Sequence, residues 1–244
     1  MKFNQHIGLI VAAGLTVSAC GAQATDAISQ TEFDARVEAV ILDNPEIVEK
    51  ALLKLQKVRR AEMLVETKRK IEGNAEQIYN DPRDFSIGPD DAPVTVVEFF
   101  DYRCSACRYS AEWVESLPEK YDGKVRVVFK EFPILSEGSK QAAVAALAAG
   151  RLGAYTDMHK ALMLDESDMS QEDLKAVAAG LSVDVDALGA LMASEELASH
   201  IDDNGELAKA IGVDSTPTFV IGDTLVVGGD PEALERQIAA QLNP

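Results

Sequence analysis

Histidine and cysteine are scarce here: the 244 residues contain 3 of each. A structural zinc site needs four such ligands. Past the first segment only Cys104, Cys107, His159 and His200 remain; the two histidines lie on different predicted helices, and no second C-x-x-C accompanies the first, which argues against zinc. Basic residues are few as well. Lys and Arg number 23 against 41 Asp and Glu, and the formal charge of -18 excludes nucleic acid as a partner. Acid crowds between Asp165 and Glu206, where Lys175 is the sole Lys or Arg, and such a run reads as a solvated helical face. The apolar run over 7–17 is too short to span a bilayer. Internal repeats and low-complexity tracts are lacking too.

With 47% hydrophobic and 26% charged residues, the chain can bury one sizeable core, so one catalytic domain with attachments is expected. Residues 1–24 read as an export signal, with Lys2 ahead of the apolar run and small residues behind it. Two cleavage readings stay open. Ala22-Gln23-Ala24 has the form of an ordinary signal-peptidase site, whereas Val17-Ser18-Ala19-Cys20 resembles a lipobox in which Cys20 becomes lipidated. Either way Cys20 leaves the pool of free thiols.

Residues 25–83 form a predicted helical arm, with Ile47, Val48, Ala51, Leu52, Leu55 and Val58 at helical spacing behind Asn44-Pro45. Ile41, Val48 and Leu55 fall seven apart, the spacing of a short association seam; an arm packed on its own domain is the alternative. Turn formers at 80–84 and 88–93 mark the boundary to a catalytic domain over 84–244. There 94–102 reads as strand, 105–121 as helix and 124–132 as strand, a βαβ unit whose strands lie parallel. Several helices follow over about 138–211, with breaks predicted near 153, near 168 and at 180–183. A hairpin over 218–227 turns at Gly222-Asp223, read as a type I′ dipeptide, and a helix over 231–242 ends the pattern.

A C-x-x-C where an apolar strand meets a helix puts the first sulfur at unpaired backbone amides and the positive end of the helix dipole, which stabilise a thiolate. Cys104 is therefore the predicted exposed nucleophile and Cys107 the resolving thiol, with Arg103 and Arg108 adding positive charge beside the sulfur. A structural disulfide remains the alternative, although a bridge closing so short a loop gains little stability.

The run Glu98-Phe99-Phe100-Asp101-Tyr102-Arg103-Cys104-Ser105-Ala106-Cys107, the helical stretch and the later Thr216-Pro217-Thr218-Phe219 together resemble the DsbA family of periplasmic thiol–disulfide oxidoreductases. The arm is similar to that of the ScsC-like branch. The resemblance implies an α/β thioredoxin fold interrupted by a helical domain, a cis-proline at Pro217 with Thr216 as substrate clamp, and Glu98 as a buried proton acceptor near Cys107. It implies exchange with unfolded or wrongly bridged secreted proteins, a membrane redox partner, a periplasmic location, and a homo-trimer joined by the arm; the lipobox reading of Cys20 would add a lipid anchor. No separate cofactor and no metal are expected. Ser105-Ala106 stands where strongly oxidising members carry a histidine-containing pair, and Thr216 is the form found in isomerase members, so the reading leans to disulfide isomerase. Its alternatives are a DsbA-like dithiol oxidase and, outside catalysis, an envelope lipoprotein or chaperone with a vestigial redox motif.

Overall fold

The computed structural model of the protein describes residues 28–243. The expected signal segment, its two cleavage sites and the lipidation of Cys20 lie outside the described residues. The chain divides into two compact units, one ending at Leu55 and the other starting at Gln56.

The first unit holds helix α1 (Gln30–Asp43) and the beginning of a long helix α2 (Glu46–Gly73). Ser29 starts α1 by accepting a hydrogen bond from the Glu32 amide (3.2 Å), and Asn44-Pro45 interrupts the helical run. Apolar residues are frequent, yet none of the described residues in this unit is buried: Phe33, Val37, Ile41, Val48, Leu52 and Leu55 are all exposed.

The second unit is built on a five-stranded sheet in the order β1-β3-β2-β4-β5. Its strands are β1 (Phe85–Ile87), β2 (Val94–Phe100), β3 (Val125–Glu131), β4 (Thr218–Ile221) and β5 (Thr224–Val227). β2 and β3 run parallel with Val96 opposite Val127, as the strand–helix–strand pattern predicts, and β4 pairs antiparallel with β2. β1 was not legible among its turn formers, being three residues long and paired antiparallel to β3. The β4–β5 turn is also corrected. Of its two central residues only Gly222 has positive φ (59°), which belongs to the type II′ class with glycine first and not to type I′.

Alternation along the strands makes two cores. Val96, Phe100, Val127, Phe129, Phe219 and Ile221 face a cluster that includes Cys107, Val114 and Leu117 of α4 (Ser105–Lys120) and Leu234 and Ile238 of α10 (Pro231–Leu242). Val97, Phe99, Val128 and Val220 point the other way, onto Ile71 of α2, Ile78 of α3 (Ala75–Tyr79), and Leu207 and Ile211 of α9 (Glu195–Ile211).

Between β3 and β4 lie α5 (Glu137–Arg151), α6 (Tyr155–Leu164), α7 (Gln171–Gly180), α8 (Val185–Met192) and α9. Three of the breaks fall where glycine and acid predicted them. The fourth, at Ala193-Ser194, was missed because its signal is a single capping serine, which accepts from the Glu196 amide (3.2 Å). The ring of Phe85 stacks on Tyr155 at 4.2 Å between centroids and ties the inserted helices to the sheet edge.

Candidate active site

β2 delivers the chain to Asp101, Tyr102 and Arg103, after which Cys104 sits as the N-cap of α4 in extended conformation (φ -75°, ψ 116°). Its carbonyl accepts the first helical bond, from the Arg108 amide at 3.0 Å. The thiol does not cap the helix itself. It donates instead to the Thr216 carbonyl at 3.1 Å, which holds the sulfur at the start of α4, where the first-turn amides lack helical partners. Both thiols are free; Cys104 is 9% exposed and Cys107, one turn further in, 0%. The nucleophile is thus more sheltered than the sequence suggested.

The shelter comes from the segment before β4. The Thr216–Pro217 peptide bond is cis. The Pro217 carbonyl accepts from the Gly228 amide (2.8 Å), and the Thr218 hydroxyl donates to the Ser215 carbonyl (2.7 Å), so the segment is fastened on both sides of the bond. The carbonyl of Thr216 is left facing Cys104.

Glu98 lies on the same sheet face as Val96 and Phe100, the face that α4 covers, and this register turns its carboxyl toward the Cys107 side of the helix. It is buried, and its Oε1 has no hydrogen-bond partner among the described residues. Burial, then the negative charge of Cys104, then that of Glu115 push its pKa up to about 8. The Cys107 thiol is pushed far above the usual thiol range, by burial first and by the Glu98 charge second. A carboxyl whose folded pKa is raised contributes stability that is complete below its unfolded value of 4.5 and is lost as the pH climbs to about 8. Glu98→Gln should therefore gain stability relative to the native protein by a few kcal/mol between about pH 4.5 and about pH 9. Denaturant melts of both reduced proteins at the two ends of that range measure it; a pH-independent difference would show that burial does not hold Glu98 protonated.

Several site residues were missed in the sequence. The Asp101 carboxylate accepts from the amides of Arg103 (2.7 Å), Ile134 (2.9 Å) and Leu135 (2.9 Å), locking the approach to Cys104 onto the segment after β3. Behind it, buried Glu131 accepts from the hydroxyls of Tyr102 and Tyr155, each at 3.0 Å, and Tyr102 also lies 3.1 Å from His159 Nδ1. Burial holds Glu131 well above the carboxylate range and pushes His159 down to about 3. Tyr102 has one hydroxyl proton. Given to Glu131, it leaves the phenol oxygen to accept from Nδ1–H of a neutral imidazole. The available signal was the Lys130-Glu131 pair at the end of an apolar strand; both faces of that strand are covered, and both residues are buried. Arg103 and Arg108, expected to supply charge beside the sulfur, also hold backbone: Arg103 Nη1 donates to the Ser167 carbonyl and Arg108 Nε to that of Met163 (2.8 Å).

On the other face, Asp81, Asp84 and His200 bring potential ligand atoms within 4.8 Å of one another. A cation already serves that cluster. Fully buried Lys130 pairs with Asp84 and donates to the Gln77 carbonyl (2.6 Å), while His200 Nε2 lies 2.9 Å from Asp84 Oδ1. Asp84 is thus occupied by a buried cation, and Asp81 accepts from the Arg83 guanidinium (Nη2 to Oδ2 2.7 Å), so both acids have partners within the protein.

A thioredoxin family model matches residues 80–240. A thioredoxin-like oxidoreductase from Silicibacter pomeroyi DSS-3 superposes with a TM-score of 0.66 at 36% identity, covering 69% of this chain and 98% of that one. A linker-deletion mutant of Proteus mirabilis ScsC superposes with a TM-score of 0.66 at 25% identity, over 91% of this chain and 99% of that one. Disulfide bond formation protein D of Bacillus subtilis (strain 168) is 28% identical over 172 residues, 64% of this chain and 76% of its own. The Na(+)/H(+) antiporter NhaA 3 of Salinispora tropica is 33% identical over 141 residues, which are 57% of this chain but only 22% of the antiporter. That likeness concerns a segment and carries no ion transport with it. The parallel βαβ unit, the C-x-x-C at its helix start, the cis-proline segment across from the sulfur and a family match over most of the chain agree: the protein belongs to the thioredoxin family.

Proposed function

We propose that the protein is an exported thiol–disulfide oxidoreductase that exchanges disulfides with unfolded or wrongly bridged secreted proteins. The observation that carries this is the Cys104 thiol, held at the start of α4 against the Thr216 carbonyl with buried Cys107 and Glu98 behind it. Cys104 attacks a client disulfide as thiolate; a Cys104–client bond forms, the client S–S bond breaks and one client sulfur leaves as thiolate. Cys107 then attacks the Cys104 sulfur, forming the Cys104–Cys107 disulfide and expelling the second client thiolate; the same two steps in reverse, on a different pair of client sulfurs, return a client disulfide and the two enzyme thiols, so that isomerisation is redox-neutral. The two sulfurs carry the electrons, so no separate cofactor is required.

Glu98 times the second step. Part of what keeps it protonated is the negative charge of Cys104, and that charge disappears once Cys104 is in a mixed disulfide. Its carboxyl then ionises more readily, at the moment when Cys107 must give up a proton. Thr216 and Pro217 form the clamp: an extended client segment pairs with the Thr216 backbone beside the sulfur.

The preferred direction is isomerisation, supported by Thr216 before the proline and by an arm whose apolar residues are uncovered in the single chain. Three arms joined along Ile41, Val48 and Leu55 would surround one client with three sites. A periplasmic location, lipidation of Cys20 and recharging by a membrane redox partner belong to the same proposal; among the described residues no helix is long and apolar enough to cross a membrane. The likeness to disulfide bond formation protein D favours the second reading, a dithiol oxidase. Refolding of a scrambled-disulfide substrate, set beside oxidation of a reduced one, separates them: the isomerase reading requires the former to be the faster reaction per active site.

A further inference from the structure

One proton in the exchange needs a route. Glu98 is 1% exposed, and before it can take the Cys107 proton its carboxyl must lose its own to solvent. The opening at Cys104 does not serve at that moment, because the client bonded to the sulfur stands over it.

A second way out leads along α4. Glu98 lies opposite Phe129 in the sheet, and the Phe129 ring packs 4.6 Å from that of His159 between centroids. Phe100, the next residue on the same face, holds the same imidazole at 5.0 Å. His159 Nε2 in turn lies 4.0 Å from Oε1 of Glu115, two turns past Cys107 on α4. The Glu115 carboxyl therefore borders the rings that enclose Glu98, and its charge is one of those acting on that carboxyl. On its outer side Glu115 meets water: its side chain is 16% exposed, and Oε2 lies 3.3 Å from Nζ of Lys160, which is exposed.

The other ionisable groups around this pair are Cys104, Cys107 and Glu112 on α4, and His159 and Lys160 on α6. Burial raises the Glu115 pKa above the ordinary carboxylate range, Lys160 pulls it back and the Glu112 charge adds to the rise. His159 is a poor carrier, since burial drives it down to about 3 and its Nδ1 faces the Tyr102 hydroxyl.

We infer that Glu115 is a positioning residue for the Cys107 step: acting through Glu98 and touching neither sulfur, it is the outlet by which the buried carboxyl exchanges its proton with solvent. The inference rests on the exchange reading above. In the mixed disulfide the Glu98 proton leaves by way of water at its unpartnered Oε1 to Glu115 and then to bulk solvent. Cys107 then attacks Cys104, its own proton passes to the Glu98 carboxylate, and the client sulfur leaves as thiolate. In the reverse direction Cys107 is expelled as thiolate, takes the Glu98 proton, and Glu98 is recharged along the same route.

The reduced full-length protein is mixed with increasing oxidised glutathione, quenched in acid and read by intact mass. The initial slope reports attack by Cys104 and the plateau reports attack by Cys107 on the Cys104–glutathione bond. Glu115→Gln is isosteric and keeps an acceptor for Lys160. It should leave the slope unchanged, lower the plateau about tenfold and accumulate the glutathione adduct, a smaller loss than that of a direct acid–base group because water replaces part of the route. Imidazole added as a proton carrier should restore the variant's plateau in proportion to its concentration and leave the native plateau alone; Glu115→Asp should keep most of the native rate. A plateau in Glu115→Gln that rises, with its pH profile moved to lower pH, would show that Glu115 acts on Glu98 by charge alone and overturn the inference. So would an unchanged plateau, or a fall that imidazole does not relieve. A native protein that forms no glutathione adduct and no disulfide would instead strike the exchange reading.

Discussion

Cys107→Ala is expected to accumulate client proteins on Cys104 as adducts that reductant releases, and Cys104→Ala to accumulate none. The asymmetry follows from position. Cys104 sits at the helix start with its sulfur against the Thr216 carbonyl, whereas Cys107 is fully buried and its thiol is held far above the usual range. Removing Cys107 leaves the first attack in place and deletes the second, so the mixed disulfide has no internal exit. Removing Cys104 leaves one thiol that neither reaches solvent nor ionises readily. Exchange activity should fall by several orders of magnitude in both variants, because the catalytic cycle needs both sulfurs. Non-reducing electrophoresis after exposure to unfolded secreted proteins reads the difference, and adducts of equal yield in the two variants would reverse the assignment of roles.

A second large effect is expected from the arm. Helices as short as α1 are marginal alone in water, and the apolar residues of the first unit, Ile41, Val48 and Leu55 among them, are exposed in the single chain. Association with further copies would bury them. Deleting the arm through Leu55 should convert the proposed trimer into a monomer that loses reshuffling of scrambled disulfides and gains dithiol oxidation, since a lone site would be open to the proposed membrane partner. The cut belongs at Leu55 and not near residue 80. Ile71 and Ile78 are buried against the sheet, Gln77 receives the Lys130 ammonium, and the Tyr79 hydroxyl donates to the Gly222 carbonyl (2.5 Å), so a longer deletion would open the core. Analytical ultracentrifugation with the two refolding assays tests both halves. A full-length protein already monomeric at micromolar concentration would leave the oxidase reading in place.

How far the sequence could be read depended on whether a feature was local. The βαβ unit was legible because apolar alternation and helical spacing are written along a continuous stretch, and Cys104 and Cys107 because strand end and helix start adjoin them in the chain. Pro217 entered only through resemblance. It stands opposite Cys104 by tertiary pairing of β4 with β2, which no spacing reveals. Glu98 had an ambiguous signal, one acid in an apolar strand; the register opposite Phe129 and Phe219 puts it inward. The partners of Arg103 and Arg108 were illegible, since the carbonyls they bind belong to a distant stretch of chain, at separations of 64 and 55 positions. Charge next to a cysteine suggested electrostatics; the structure adds that both guanidinium groups hold distant backbone carbonyls.

The most direct test of the account is the equilibrium of the reduced and oxidised protein across a series of glutathione buffers, followed by intact mass after rapid acid quenching. The account predicts one reversible two-electron transition, a loss of two hydrogen atoms' mass assigned to a Cys104–Cys107 disulfide, and its disappearance in either single variant. Thiols that remain reduced throughout the series, or that end only as separate glutathione adducts, would contradict it.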